Sequence, residues 1–504
     1  MVFSSNIFLF LFLPLTLILY FAVPEKLAGK KYKNYLLLVA SLLFYAWGEP
    51  QYLVLLLISI VGNYFFGLWI EKSSFEKGGV AAGDGGFSGV AGNANSSFSS
   101  AHLNPPALRA TSFFKGVIAI AFNLLLLGYF KYANFIVENL NHVLPSPITL
   151  AKVHLPIGIS FFTFHAISYL VDIYRGKCKA QRSLSELTLY IAFFPQLIAG
   201  PIVRYNFIEK YLHNRRHNWF FAAYGVRRFL IGMGKKVIIA NPLGEMADAI
   251  FALPAADLST PLSWIGIVCY TLQIYFDFSG YSDMAVGLAR IFGFKFPENF
   301  NYPYISRSIK EFWRRWHMSL SAWFRDYVYI PLGGNRTSLS RQYFNLVLVF
   351  FLCGLWHGAS WNYIIWGMFH GFFLVAERIV PSRFAAPKFL QNFYAMLVVM
   401  IGWVFFRSPD LTSSLHYLHT MFSNVATTSS SLDVVRLLHS HFVWMSFALA
   451  ILGFSPLVKN LSLKLIRKNR TFSIASDAFL IAVLVIAIIR ISASTHNPFI
   501  YFQF

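Results

Sequence analysis

A dozen apolar stretches, each close to the length of a bilayer crossing, constrain this chain more than any other feature. They lie at 6–23, 34–49, 51–70, 113–130, 154–173, 237–252, 262–292, 342–358, 361–377, 390–406, 442–457 and 473–492, and a span needs about 20 mostly apolar residues. In hydrocarbon every backbone N–H and C=O must be paired within the protein, and runs of this length without strict alternation read as helices. The expected fold is therefore all-α: a polytopic transmembrane bundle of about 11–12 helices, with re-entrant or interfacial helices around a central cleft or tunnel. One such segment is expected at 184–202, where Pro195, Gly200 and Pro201 interrupt an apolar run. Composition agrees. Charged residues are 12% of the chain and hydrophobic ones 57%, against roughly 25% charged in soluble domains. A soluble multidomain enzyme and a disordered chain are excluded on that ground. The run 6–23 follows no basic segment and precedes no small-residue cleavage site, so it reads as a retained first helix.

Charge orients the bundle. Lys plus Arg number 42 and Asp plus Glu 21, a net +21. The basic residues gather between spans: Lys26 to Lys33, Arg175 to Arg182, Arg204 to Lys236, Arg307 to Arg341 and Lys459 to Arg470. Alternation across the spans places every cluster on one side, which the positive-inside rule makes cytoplasmic. Both termini are then expected outside. A basic excess of topological origin argues for membrane lipid as a partner and against nucleic acid. Residues 76–106, rich in Gly, Ser, Ala and Asn, read as a flexible cytoplasmic loop, and 1–504 as a single integral-membrane domain.

The segment expected to carry chemistry is 301–336, too polar to span and too aromatic for an ordinary loop. Helical spacing there separates Phe312, Trp316 and Trp323 from Arg314, Arg325 and Asp326, the pattern of an in-plane interfacial helix. The next span, 342–358, ends on His357. An ionisable residue inside a span is a functional-site candidate by default; the competing reading is a histidine bonded to a carbonyl or to Asn362 to knit helices. Cys353, one turn before His357, reads as an inert packer. Cys178, Cys269 and Cys353 are too few and scattered for a disulfide framework or a zinc site. The i,i+4 histidines of HNRRH (213–217) have two arginines between them and no carboxylate among them, so no metal site is expected. Asp277, Tyr281 and Asp283 form a further polar group inside a span, with Asp277 expected to pair with an arginine of 307–325.

Residues 312–336 (FWRRWHMSLSAWFRDYVYIPLGGNR) and 355–371 (LWHGASWNYIIWGMFHG), with FFPQLIAGPIVR at 193–204 and YFDFSGYSDMAVGLARIFGF at 275–294, resemble the membrane-bound O-acyltransferase superfamily. The likeness is greatest to its bacterial alginate O-acetyltransferase branch, and it extends over nearly the whole chain apart from 76–106. The resemblance implies acyl transfer to a hydroxyl, with the family's two signature histidines on His317 and His357. It implies an acetyl donor from the cytoplasm, acetyl-coenzyme A, with no permanently bound cofactor. The acceptor it implies is extracytoplasmic polysaccharide, reached indirectly through separate extracytoplasmic acetyltransferase proteins, and the location a bacterial cytoplasmic (inner) membrane. On that basis His357 is expected to act as general base, with His317 at the cytoplasmic mouth. Arg314, Arg315 and Arg325, with Trp316, are expected to meet the donor's phosphates. Asp277, Tyr281, Asn362 and His370 are candidates to line the cavity, and Asn362 or Trp361 to face the oxyanion. Peptidoglycan O-acetylation and D-alanyl transfer to teichoic acid are alternatives within the superfamily. A proton-coupled transporter is the alternative outside it, although no internal repeat of the kind transporters carry is evident.

Overall fold

A computed structural model describes residues 1–23, 25–75, 106–215, 217–380, 386–426 and 432–493. Residues 494–504 and nearly all of the expected loop 76–106 lie outside them. Among the described residues all regular structure is helical. Five helices are long and apolar enough to cross a membrane by length and composition, namely Leu53–Lys72, Thr111–Asn141, Leu339–His357, Lys388–Arg407 and Arg470–Ala493. A sixth forms if the bent pair Leu432–Leu438 and His441–Gly453 counts as one span.

The remaining expected spans are helical too, but shorter or more polar. The polarity of Thr260–Ile291 has a physical reason. This 32-residue helix is buried over most of its circumference, so its neighbours are protein rather than lipid, and Gln273, Asp277, Ser279 and Asp283 are tolerated there. At 1.5 Å per residue it is about 48 Å long, more than a hydrocarbon core of about 30 Å, so it tilts or projects.

Small residues set how closely the neighbouring helix Trp219–Gly234 approaches it. A Cβ on Gly225 would sit 2.6 Å from the Gly287 carbonyl oxygen, and one on Gly232 would sit 2.5 Å from that of Gly280. Within a bilayer such contacts do the packing that the hydrophobic effect cannot. We expect Gly232→Ala to cost about 1–3 kcal/mol through overpacking, read as a lowered thermal midpoint in detergent. Gly128→Ala, where an added Cβ meets nothing within 4 Å, is expected to be neutral or slightly stabilising.

The interrupted stretch expected to be re-entrant or interfacial is buried over 187–203. Leu184–Ala192 stops at Phe193, whose ψ of 113° breaks the helix before the short turn Phe194–Leu197. The backbone N–H of Ile202 then donates to Ser319 Oγ at 3.0 Å, so the irregular backbone finds its partners in protein.

The in-plane amphipathic helix expected across 301–336 does not form. The segment is a 3₁₀ turn Pro303–Ile305, a helix Ile309–Arg315, a break, a helix Met318–Phe324 and a π-helical turn Arg325–Tyr329. Ser308 starts the first helix by accepting from Glu311 N–H at 3.0 Å, while Glu311 reaches back to Arg307 N–H at 2.9 Å. Phe312, Trp313, Trp316 and Trp323 are all buried in protein. Periodic aromatics look the same in sequence whether they meet lipid or other helices.

Candidate active site

His357 terminates the helix Leu339–His357, which begins beside Arg336 and Arg341 and so runs away from the basic side. Its imidazole is buried, with Trp356, Trp366 and Phe406 packed edge-on at ring separations of 4.9, 5.0 and 5.1 Å. The return helix Trp361–Ile379 lies very close, since a Cβ on Gly354 would collide with the Tyr363 carbonyl oxygen and one on Gly367 with that of Phe350. His357 is one wall of a cavity of about 180 Å³, shared with Lys131, Ser160, Trp356, Ile198 and the chain from His154 to Phe161. The helix Ile159–Tyr174 that leaves this chain segment ends beside Arg175 and Lys177. The cavity therefore sits at the ends of both helices away from the basic clusters. His154 forms its outer rim with a side chain 64% exposed, 3.3 Å from Glu49.

His317 occupies the break between the helices Ile309–Arg315 and Met318–Phe324. Its φ of 43° places a non-glycine residue in the left-handed region, which costs of order 1–3 kcal/mol and persists only where surroundings enforce it. The ring is buried, 4.7 Å from Phe278 and 6.2 Å from Trp356, the tryptophan that also meets His357. Its tautomer follows from the local network. Asn299 Oδ1 accepts from the backbone N–H and hydroxyl of Ser319 at 3.2 and 2.9 Å, while Asn299 Nδ2 donates to Ser282 at 3.1 Å. The oxygen thus faces His317, whose Nδ1–H donates to it at 3.0 Å, and Nε2 is left as the basic nitrogen. Burial pushes the imidazole down to about 3, so it is neutral at ordinary pH.

The residues expected to meet donor phosphates divide. Arg314 is exposed. Arg315 is engaged by Glu311 at 2.8 Å and by the Asn301 carbonyl at 3.0 Å. Trp316 is buried among Tyr304, Phe312, Phe300 and Trp403, with no exposed face to offer a ligand. Arg325 pairs with Asp326 at 2.6 Å, and Arg204 reaches the same carboxylate at 2.7 Å. Burial raises the Asp326 carboxyl, but its hydrogen bond from Arg325 and the charge of Arg204 hold it below the usual range. Arg175 donates to the Asp326 carbonyl at 2.9 Å, and Arg175 and Arg204 both lie over the Tyr327 ring. The structure thus gathers Arg175, Arg204 and Arg325, a grouping that sequence distance conceals.

None of the four residues expected to line a cavity is on the wall shared with His357. Asp277 pairs with Lys236 at 2.7 Å, not with an arginine of 307–325. Tyr281 stacks on Phe3 at 4.5 Å. Asn362 donates to the Ser408 carbonyl at 2.9 Å and knits two helices. His370 is enclosed by Trp313 and Trp366. Trp361 donates to Asn139 at 2.8 Å. His213 lies 3.6 Å from Glu186 and His217 bonds Tyr20 at 2.8 Å, so the two histidines of 213–217 diverge. Sequence reading missed Lys131 and Asn299. Lys131 stands one residue beyond the apolar run 113–130, where a charge at a span end passes as ordinary, and nothing distinguishes Asn299 before its neighbours in space are known.

Residues 179–416 match the model of the membrane-bound O-acyltransferase family. The chain is 41% identical to the probable alginate O-acetylase AlgI of Pseudomonas putida and 40% identical to that of Azotobacter vinelandii, each over 100% of both chains. It is 36% identical to the peptidoglycan O-acetyltransferase of Helicobacter pylori over 84% of this chain and 80% of the relative.

Proposed function

The chain belongs to the membrane-bound O-acyltransferase family, and from that premise we propose that it transfers acetyl groups from cytoplasmic acetyl-coenzyme A toward an extracytoplasmic polysaccharide such as alginate. The observation that carries this reading is His357 on the wall of the cavity rimmed by His154. Acyl transfer to a hydroxyl needs a base for the hydroxyl proton and a site from which water is excluded. A buried imidazole among Trp356, Trp366 and Phe406 suits both needs.

In the proposed step an acceptor hydroxyl enters from the His154 side. Its oxygen attacks the acetyl carbonyl carbon while the His357 imidazole takes its proton. The tetrahedral intermediate collapses with cleavage of the C–S bond, and the imidazolium returns the proton to the departing thiolate. His317, which packs on the same Trp356 ring as His357 and turns its Nδ1–H to Asn299, assists the thioester end as a neutral hydrogen-bond acceptor. Arg175, Arg204 and Arg325, with exposed Arg314, attract the donor's phosphates by charge. The setting proposed is a bacterial inner membrane, with extracytoplasmic acetyltransferase proteins carrying the group onward. The Helicobacter pylori relative favours peptidoglycan as the second acceptor to try.

Detergent-solubilised protein incubated with radiolabelled acetyl-coenzyme A is expected to release or transfer label; no donor turnover with or without acceptor would overturn the reading. His317→Gln is expected to lower turnover about 100-fold, the scale of one acid–base group, with the folded fraction unchanged by size-exclusion chromatography. Parental turnover in that variant would reduce His317 to a packing role.

A further inference from the structure

The last four carbonyls of a helix have no partner within it. At the end of Leu339–His357 all four are nevertheless satisfied. Gly358 N–H returns to the Gly354 oxygen at 3.3 Å. Tyr132 Oη donates to the Leu355 oxygen at 2.6 Å. Lys131 Nζ donates to the Trp356 oxygen and, at 3.3 Å, to that of His357 itself. Its third contact is Ser160 Oγ at 3.1 Å, on the first turn of Ile159–Tyr174. Three acceptors match the three N–H groups of an ammonium, and that ammonium is buried on the cavity wall.

A charge at membrane depth is expensive, and here it stands against the negative end of a helix dipole, where a cation is stabilised. With every donor occupied, Lys131 has none to offer a reacting oxygen. We propose that Lys131 is a positioning residue, a cationic cap that locks the peptide of His357 and so aims its imidazole into the cavity. Tyr132 holds the same helix one carbonyl earlier, away from the cavity wall, and provides the internal comparison. The inference rests on His357 being the general base.

The test is steady-state turnover of radiolabelled acetyl-coenzyme A by three full-length variants, read beside thermal midpoints. Lys131→Met is expected to lose about 100-fold in kcat, the scale of a misaimed catalytic group, with KM for the donor unchanged within about threefold. Lys131→Arg, which can bond both carbonyls with its fork, is expected to recover at least a tenth of parental kcat. Tyr132→Phe is expected to lower the thermal midpoint but keep kcat within about threefold, since one cap bond is worth about 0.5–1.5 kcal/mol of stability. Parental kcat in Lys131→Met, or equal losses of kcat in Lys131→Met and Tyr132→Phe that track their midpoints, overturns the positioning role. Should Lys131→Met fail to insert, Ser160→Ala decides: a roughly tenfold fall in kcat at constant KM supports the proposal, and parental kcat overturns it. An active His357→Ala would sink the base assignment itself. An inactive His357→Ala beside a parental Lys131→Met sinks only the inference about Lys131.

Discussion

His357→Ala is expected to stop acetyl transfer while leaving a folded, inserted protein. A general base contributes about 10²–10⁴-fold, which corresponds to roughly 3–5 kcal/mol on the barrier. His357 already lines a cavity of about 180 Å³, so its truncation is expected to be accommodated there. The helix end stays anchored, because its contacts with Lys131 and Tyr132 are made by main-chain oxygens that alanine keeps. The variant should therefore elute with the parental profile and bind donor, yet turn over labelled acetyl-coenzyme A at background rate. Transfer within a few-fold of parental would assign the ring to packing against Trp366 and Phe406.

The second large effect falls on stability. Asp277 and Lys236 lie 2.7 Å apart with side chains only 2% and 3% exposed. Burying two charges costs several kcal/mol each, and their attraction offsets this only while both are present. Asp277→Leu removes the carboxylate facing the ammonium, and a loss of about 3–5 kcal/mol is expected. The double variant Asp277→Leu with Lys236→Met removes both charges and should regain most of the loss. Thermal midpoints and monodisperse yield in detergent check this. A double variant no better than Asp277→Leu would mean that the pair supplies specific interactions beyond mutual neutralisation.

The helices along the apolar runs were legible because hydrocarbon tolerates so few solutions, and Leu339–His357, Lys388–Arg407 and Arg470–Ala493 follow their runs closely. The place of His357 at the end of its helix was legible for a related reason, since a polar group at the end of an apolar run stands out. What escaped was whatever depends on which surfaces meet. Phe312, Trp316 and Trp323 share a helical pattern with any interfacial helix, yet protein covers them. The left-handed turn at His317 carries no glycine to announce it. Lys236 pairs with Asp277 across 41 residues of sequence, and Arg175 and Arg204 each reach the Tyr327 ring by folding alone.

The glycine contacts behind His357 bear on how the proposed reaction can run. Gly354 and Gly367 bring the two helices within backbone touching distance, so neither can slide past the other without main-chain collision. On the proposed reading the imidazole is then a stationary post, to which donor and acceptor must each come. A carrier that ferries its cargo by rocking needs the opposite construction, with loosely seated helices around a shuttling centre.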